Sequence, residues 1–257
     1  MNFIHLSDIH IGKSRNEERF ATIVDWIVAN PQEHKAKVVV ITGDLVDDGA
    51  LGQYRAFKQQ KDRLEGAGLL VLTTPGNHDY GFSGIFESSE AMARYQEFAS
   101  GGVGYPYVAE VDGCAFILLD SMLQEMIDHE IWGAQGELGQ QQLADLDRIL
   151  NDIEENRPDS KVVIALHHHP FYYRYVMTLR DNRRFKSVIA DKDGGDARVD
   201  CLLFGHKHNE HRFAEKEIEY HIGVIYASGA STERDDGGNL VVPVIDAAAS
   251  TITRHFI

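Results

Sequence analysis

Only two cysteines, Cys114 and Cys201, occur in 257 residues, and both lie inside apolar runs. Neither has metal-ligand spacing, which argues against a thiolate metal site and for two buried thiols. No run approaches the ~20 apolar residues that a membrane span needs. Basic charge is scarce as well: 25 Lys and Arg stand against 40 Asp and Glu, a formal net charge of −15. That leaves little charge to neutralise the phosphates of a nucleic acid or an anionic membrane, so no stable nucleic-acid partner and no membrane are expected. The deficit does not oppose a small anionic substrate. The first residues lack the charged and apolar regions of a secretory leader, which gives a cytoplasmic expectation. Repeats, low-complexity tracts and linkers are also lacking. The expectation is a single domain over 1–257.

What is present is an ordinary 43% hydrophobic content, arranged in short runs. Phe3–Ser7, Val38–Thr42 and Leu69–Thr73 read as strands. Amphipathic helices over Asn16–Asn30 and Ala50–Glu65 separate them. This order predicts parallel strands. Glu87–Phe98 reads as a helix. Tyr107–Val111 and Ala115–Leu119 read as a hairpin around Asp112-Gly113. The helix Gln140–Glu155 and the strand Val162–Leu166 follow. Short strands are expected at Cys201–Phe204, His211–Phe213, Ile218–Ile222, Val224–Ala227, Val241–Ile245 and Thr251–Phe256. The fold class is α/β, with two sheets packed together.

Chemistry gathers where the apolar runs end. Ser7-Asp8-Ile9-His10, Gly43-Asp44-Leu45-Val46-Asp47 and Gly76-Asn77-His78-Asp79 follow the first three strands. His167-His168-His169-Pro170 and Gly205-His206-Lys207-His208 follow two later ones. Strand ends in α/β sheets are where ligands bind. Residues two apart on a strand point the same way, so Asp8 and His10 can reach one ion. The carboxylates, amide and imidazoles exceed what one tetrahedral ion accepts. They suit a pair of ions, which in turn suits in-line displacement at phosphorus. Iron, manganese, zinc and cobalt all accept such donors. Chemistry alone leaves open which histidine of the triple string is a ligand.

Asp-x-His, Gly-Asp-x-x-Asp, Gly-Asn-His-Asp, His-x-Pro and Gly-His-x-His, in this order, resemble the calcineurin-like metallophosphoesterase superfamily. The match runs from Asp8 to His208. A looser likeness, carried by Gly136-Glu137-Leu138 with Gln142-Leu143, by the His-His-His-Pro string and by Thr178-Leu179-Arg180-Asp181, is to bacterial class III cyclic-nucleotide phosphodiesterases and glycerophosphodiesterases. The resemblance implies two packed mixed β-sheets flanked by helices, a four-layer αββα sandwich. It implies that Asp8, His10, Asp44 and His208 hold one ion. Asp44 bridges to a second, held also by Asn77, His168 and His206. A hydroxide between the ions would attack phosphorus. His78 would protonate the leaving oxygen or stabilise charge, with Asp47 as its orienting carboxylate. Asn77, His78 and His169 would face the substrate, a small phosphodiester.

A phosphomonoesterase and a nuclease acting on nucleic-acid ends are the alternatives. The net charge opposes the second. Lipid-A-pathway hydrolases of the superfamily carry Arg where His78 stands, which sets that branch aside. A non-enzymatic scaffold would have lost ligands, and none is missing. Met122–Gln135 and Phe171–Arg184 are the segments expected to shape selectivity, with His129 and His211 as further histidines to place. Oligomeric state is not legible.

Overall fold

The structure, a computed structural model, describes residues 1–82, 86–122, 135–171, 177–190 and 197–257. Its first half runs β1 Asn2–Leu6, α1 Asn16–Ala29, α2 Pro31–His34, β2 Ala36–Thr42, α3 Leu51–Gly66 and β3 Leu70–Thr74. A two-residue pair follows, β4 Gly81–Phe82 and β5 Phe86–Glu87, and then α4 Ser89–Tyr95. The next elements are β6 Tyr107–Val111, β7 Cys114–Leu118, α5 Gly139–Asn156, β8 Lys161–Ala165, α6 Asn182–Ile189 and β9 Cys201–Phe204. The chain closes with β10 His211–Arg212, α7 Ala214–Tyr220, β11 Val224–Ala227, β12 Val241–Asp246 and β13 Thr251–Phe256.

Two mixed sheets result. One has the order β13-β12-β1-β2-β3 and the other β10-β11-β9-β8-β7-β6. The three strands β1, β2 and β3 are parallel, as the alternation of strand and helix predicts. So are β7, β8, β9 and β11. Antiparallel neighbours finish each sheet.

Strand periodicity sorts the core into three layers. Phe3, Val38, Val40, Phe116, Val163, Ala165, Cys201 and Leu203 pack between the sheets. Ile4, Leu6, Val39 and Ile41 point the other way, onto Phe20, Ile23 and Val24 of α1 and Phe57 of α3. Ile164, Leu166, Leu202 and Phe204 pack outward against Leu146 and Leu150 of α5 and Phe185 of α6. This is the expected four-layer order, helices outside two facing sheets. Cys114 and Cys201 are buried free thiols in the central layer. Among the described residues no helix is long and apolar enough to cross a membrane.

Two elements differ from expectation. The helix expected over Glu87–Phe98 begins later, where Ser88 caps α4 by accepting the Ala91 N–H, and it continues as a π-helical turn, Gln96–Ser100. The strand expected at Ile218–Ile222 is instead helix α7. Ala214 to Glu217 supply strong helix formers, and Ile218 lies on the solvent side, 77% exposed. Only Ile222, beyond the helix, is buried. Apolar residues at alternate positions therefore marked no buried face here.

Candidate metal centre

The sheets bring their carboxyl ends to one edge. The residues there share an unusual backbone. Asp8, His10, Asp44, His206 and His208 all have φ between 50° and 74°. Non-glycine residues rarely occupy this left-handed region, and when several do so together a functional site is indicated. Close backbone approach accompanies it. A Cβ on Gly76 would overlap Asp44, and one on Gly205 would overlap Ser7 and Asp8. The glycines of these strings are needed because the neighbouring loops lie against them.

Hydrogen bonds fix the carboxylates. Asp8 accepts the backbone N–H of His206 at 3.0 and 3.1 Å and the Ser7 hydroxyl at 2.5 Å. Asp44 accepts the N–H of His78 at 2.9 Å. Asp79 ties two loops together. It accepts from Leu45 N and Val46 N beside Asp44, and from Gly76 N at the start of its own loop. Burial, with Asp44 adding to it, raises the Asp79 pKa to about 8. Its place in the third string was visible in the sequence, but its tie to the Asp44 loop was not.

Three groups of donor atoms converge: Asp8, His10 and His208; His10, Asp44 and His78; and Asp44, His167 and His206, with the atoms of each group within 4.8 Å of one another. Asp44 belongs to two of them. Its Oδ2 lies 3.6 Å from His10 Nε2 and 3.4 Å from His167 Nε2. His10 Nε2 is 3.0 Å from His208 Nε2. His167 Nε2 is 3.0 Å from His206 Nδ1 and 3.3 Å from Asn77 Oδ1. Buried oxygen and nitrogen lone pairs thus face one another, an arrangement that calls for a proton or a cation between them. Burial alone would lower the His167 pKa, but Asp44 outweighs it and raises it to about 9. Burial would likewise raise the Asp44 pKa, and His167 with His10 holds it well below the usual range instead. Metal ions displace such protons. The donor set is one that hard or borderline ions accept, and Asp44 is shared between two of its groups.

Of the triple histidine string, His167 stands in one donor group with Asp44 and His206. Strand alternation gives the reason. Val163 and Ala165 face the other sheet, and His167, two residues past the end of β8, continues toward it. Thr42 O accepts from His167 Nδ1 at 2.7 Å and aims the ring. His168 lies beside the cluster, its ring 4.5 Å from that of His206, with Nδ1 on Ser121. His169 is not brought to the cluster. Its Nδ1 accepts from Phe171 N, and its ring packs on Phe204 and Phe213. Burial lowers its pKa to about 3.

His78 sits at the rim, and its Nδ1 donates to the backbone carbonyl of Asp47 at 2.7 Å. The Asp47 carboxylate is 3.6 Å from that nitrogen and 3.4 Å from His10 Nδ1. Asp47 therefore orients His78 mainly through its main chain, and its carboxylate lies closer to His10. The nearby His10 imidazole lowers the Asp47 pKa. His211 lies on β10 against Phe213, on an exposed edge. Most of Met122–Gln135 with His129, and residues 172–176 of Phe171–Arg184, lie outside the described residues.

Comparison with known proteins agrees with this geometry. The model of the calcineurin-like phosphoesterase family matches residues 1–210. A probable glycerophosphodiester phosphodiesterase, GpdQ, of Arcobacter nitrofigilis is 27% identical over 182 residues. The alignment covers 70% of this chain, which spans only 59% of that relative's length. The 3′,5′-cyclic adenosine monophosphate phosphodiesterase CpdA of Escherichia coli K12 is 24% identical over 223 residues, 82% of this chain and 70% of the relative. Among solved structures, a dimetal phosphatase from Danio rerio shares the fold, with a TM-score of 0.66 at 15% identity, over 95% of this chain and 91% of that one. With its five strand-end strings gathered at one edge and most of its length matched, the chain belongs to the calcineurin-like phosphoesterase family.

Proposed function

We propose that this protein is a dinuclear-metal phosphodiesterase that hydrolyses small phosphodiesters of the cyclic-nucleotide or glycerophosphodiester class. The observation that carries the reading is the sharing of Asp44 between the donor groups of His10 and of His167 with His206. Asp8, His10, Asp44 and His208 would hold one ion, and Asp44, Asn77, His167 and His206 the other. Bound there, the ions supply Lewis acidity toward the phosphoryl oxygens and a nucleophilic water at neutral pH. The chain's own residues supply the rest. A carbonyl oxygen only accepts, so Asp47 O holds the Nδ1 hydrogen of His78 in place. His78 Nε2 is left to hold a proton and pass it to the departing alkoxide. Asp8 is held in place by the His206 amide and the Ser7 hydroxyl aimed at it. The diester preference is supported by the two phosphodiesterase relatives rather than by the donor set, which serves monoesters equally.

The test is a comparison of kcat/KM for bis(p-nitrophenyl) phosphate and p-nitrophenyl phosphate under identical loading with iron, manganese, zinc or cobalt. Cyclic AMP and a glycerophosphodiester follow. The diester is expected to be the better substrate. A clear monoester preference would overturn the diesterase reading and leave the family standing.

A further inference from the structure

The two ring nitrogens of His208 face different parts of the chain. Nε2 lies 3.0 Å from His10 Nε2 and 3.5 Å from Asp8 Oδ1, inside the donor group. Nδ1 lies 3.2 Å from Glu233 Oε1. An ionised carboxylate only accepts, so Nδ1 carries the hydrogen and Nε2 keeps its lone pair toward Asp8 and His10. The Glu233 side chain is 59% exposed, so its direction depends on the backbone that carries it. That backbone is pinned on both sides of Asp8. Ser7 N donates to Ser231 Oγ and Ser231 N to Ser7 O, each at 2.9 Å. Thr232 Oγ1 donates to Ile9 O at 2.9 Å, and Arg19 Nη1 to Thr232 O at 3.0 Å. Ser231 and Thr232 are buried. The Glu233 N–H closes a turn onto Ala230 O.

Glu233 therefore reaches His208 from an anchored loop, and that loop lies beyond the family match, which ends at residue 210. A histidine that binds an ion commonly gives its second ring hydrogen to a carboxylate, which orients the ring, fixes the tautomer and makes the ligating nitrogen more basic. We propose that Glu233 is a positioning residue for the ion site of Asp8, His10, Asp44 and His208, and that it acts through the Nδ1 hydrogen of His208. This rests on the dinuclear reading above. His208 stands between two carboxylates, Asp8 on the Nε2 side and Glu233 on the Nδ1 side. The charge of Glu233 thus strengthens the donor that its hydrogen bond aligns. His208 belongs to only one of the two ion sites, so the effect falls on one ion.

The experiment reads ion binding and needs no turnover. The full chain is stripped by chelation and titrated with zinc against a chromophoric chelator. The wild type, Glu233→Ala, Glu233→Gln, His208→Ala and the double variant His208→Ala with Glu233→Ala are compared. Glu233→Ala is expected to weaken one zinc affinity roughly tenfold, the lower end of what such outer partners supply because the carboxylate is exposed, and to leave the other within about twofold. Glu233→Gln keeps an oxygen for the Nδ1 hydrogen and loses the charge, so its loss should be smaller. In the His208→Ala background Glu233→Ala should cost nothing further, as expected of a residue that acts through His208. The ion-free Tm of Glu233→Ala should equal that of the wild type. Wild-type affinities in Glu233→Ala, or a loss that persists without His208, would overturn the proposal. A loss spread equally over both ions, with a lower ion-free Tm, would overturn it in favour of a structural role in the loop. A wild type that takes up a single ion would count against the dinuclear function instead, and the coupling of Glu233 to His208 is still read on that ion.

Discussion

The Nδ1–H of His167 donates to the backbone carbonyl of Thr42 across 2.7 Å, from the end of β8 to the end of β2. One bond thereby joins the two sheets at the point where their strands deliver the donor atoms. It also leaves Nε2 facing Asp44 and Asn77. His167→Ala should therefore lower metal content from two ions per chain toward one, with activity falling at least 100-fold. The comparison variant His168→Phe should retain both. Elemental analysis after gel filtration measures this directly. The reverse pattern would return ligation to His168.

Most of the fold and most of the donor set were legible because both rest on local signals. Apolar runs of strand length ended in Gly, Asp, Asn and His, and each such end arrived at the same edge. Within the triple histidine string the proline position and the strand register point to different residues, His168 and His167, and the geometry groups His167 with Asp44 and His206. His169 is drawn elsewhere for a different reason. The chain leaves the strand there, alternation lapses, and a cluster of Phe204 and Phe213 from distant segments captures the ring. The Asp79 tie and the Asp47 carbonyl were not legible at all, since they depend on how loops far apart in sequence meet.

Metal removal should cost stability. Asp8, His10, Asp44, His206 and His208 hold left-handed backbone, a conformation that typically costs about 1–3 kcal/mol per residue. Ions that bind only the folded site offset this by mass action, about 2.7 kcal/mol each at a hundredfold excess over Kd. For a domain of this size that corresponds to a fall in Tm of roughly 5–10 °C per ion on chelation. Calorimetry before and after chelation checks it. A Tm indifferent to chelator would mean that the donor cluster is stable without cations.

Asp120 carries a pH dependence of its own. It is fully enclosed, accepts from Met122 N at 2.8 Å and from the Tyr80 hydroxyl at 2.9 Å, and burial raises its pKa to about 6. The unfolded chain ionises it near 3.9. The folded state therefore holds the proton more tightly. Its contribution to stability is fully present below about pH 4, is lost as pH rises toward 6, and is absent above. Asp120→Asn keeps an acceptor for Met122 and cannot ionise. It should equal the wild type in stability near pH 4 and exceed it near pH 8, by on the order of 2–3 kcal/mol. Denaturant titrations at both pH values decide this. A destabilised variant at pH 8 would show that the ionised carboxylate is favoured where it lies.

His78 and Asp47 separate the two ways of orienting a proton donor. The Asp47 carbonyl takes the Nδ1 hydrogen at 2.7 Å, while the Asp47 carboxylate stands 3.6 Å from the same atom and nearer to His10. Asp47→Asn leaves the carbonyl in place, so His78 should keep its direction. His78→Ala removes the donor itself. General acid catalysis is worth ~10²–10⁴-fold, and an activated aryl leaving group needs it least. His78→Ala should therefore lose roughly 100-fold or more on an alkyl diester and far less on bis(p-nitrophenyl) phosphate, with both ions retained. Asp47→Asn should lose about tenfold or less on each, with no change in the dependence on leaving-group pKa. Its effect runs through His10, whose pKa burial would lower but which Asp47 and Asp44 hold up. The measurement is a plot of log kcat against leaving-group pKa for the three proteins. A steeper slope in His78→Ala alone assigns the proton to His78 and its alignment to the main chain. Equal losses across the series in His78→Ala would mean that His78 stabilises charge on the phosphoryl group and transfers no proton.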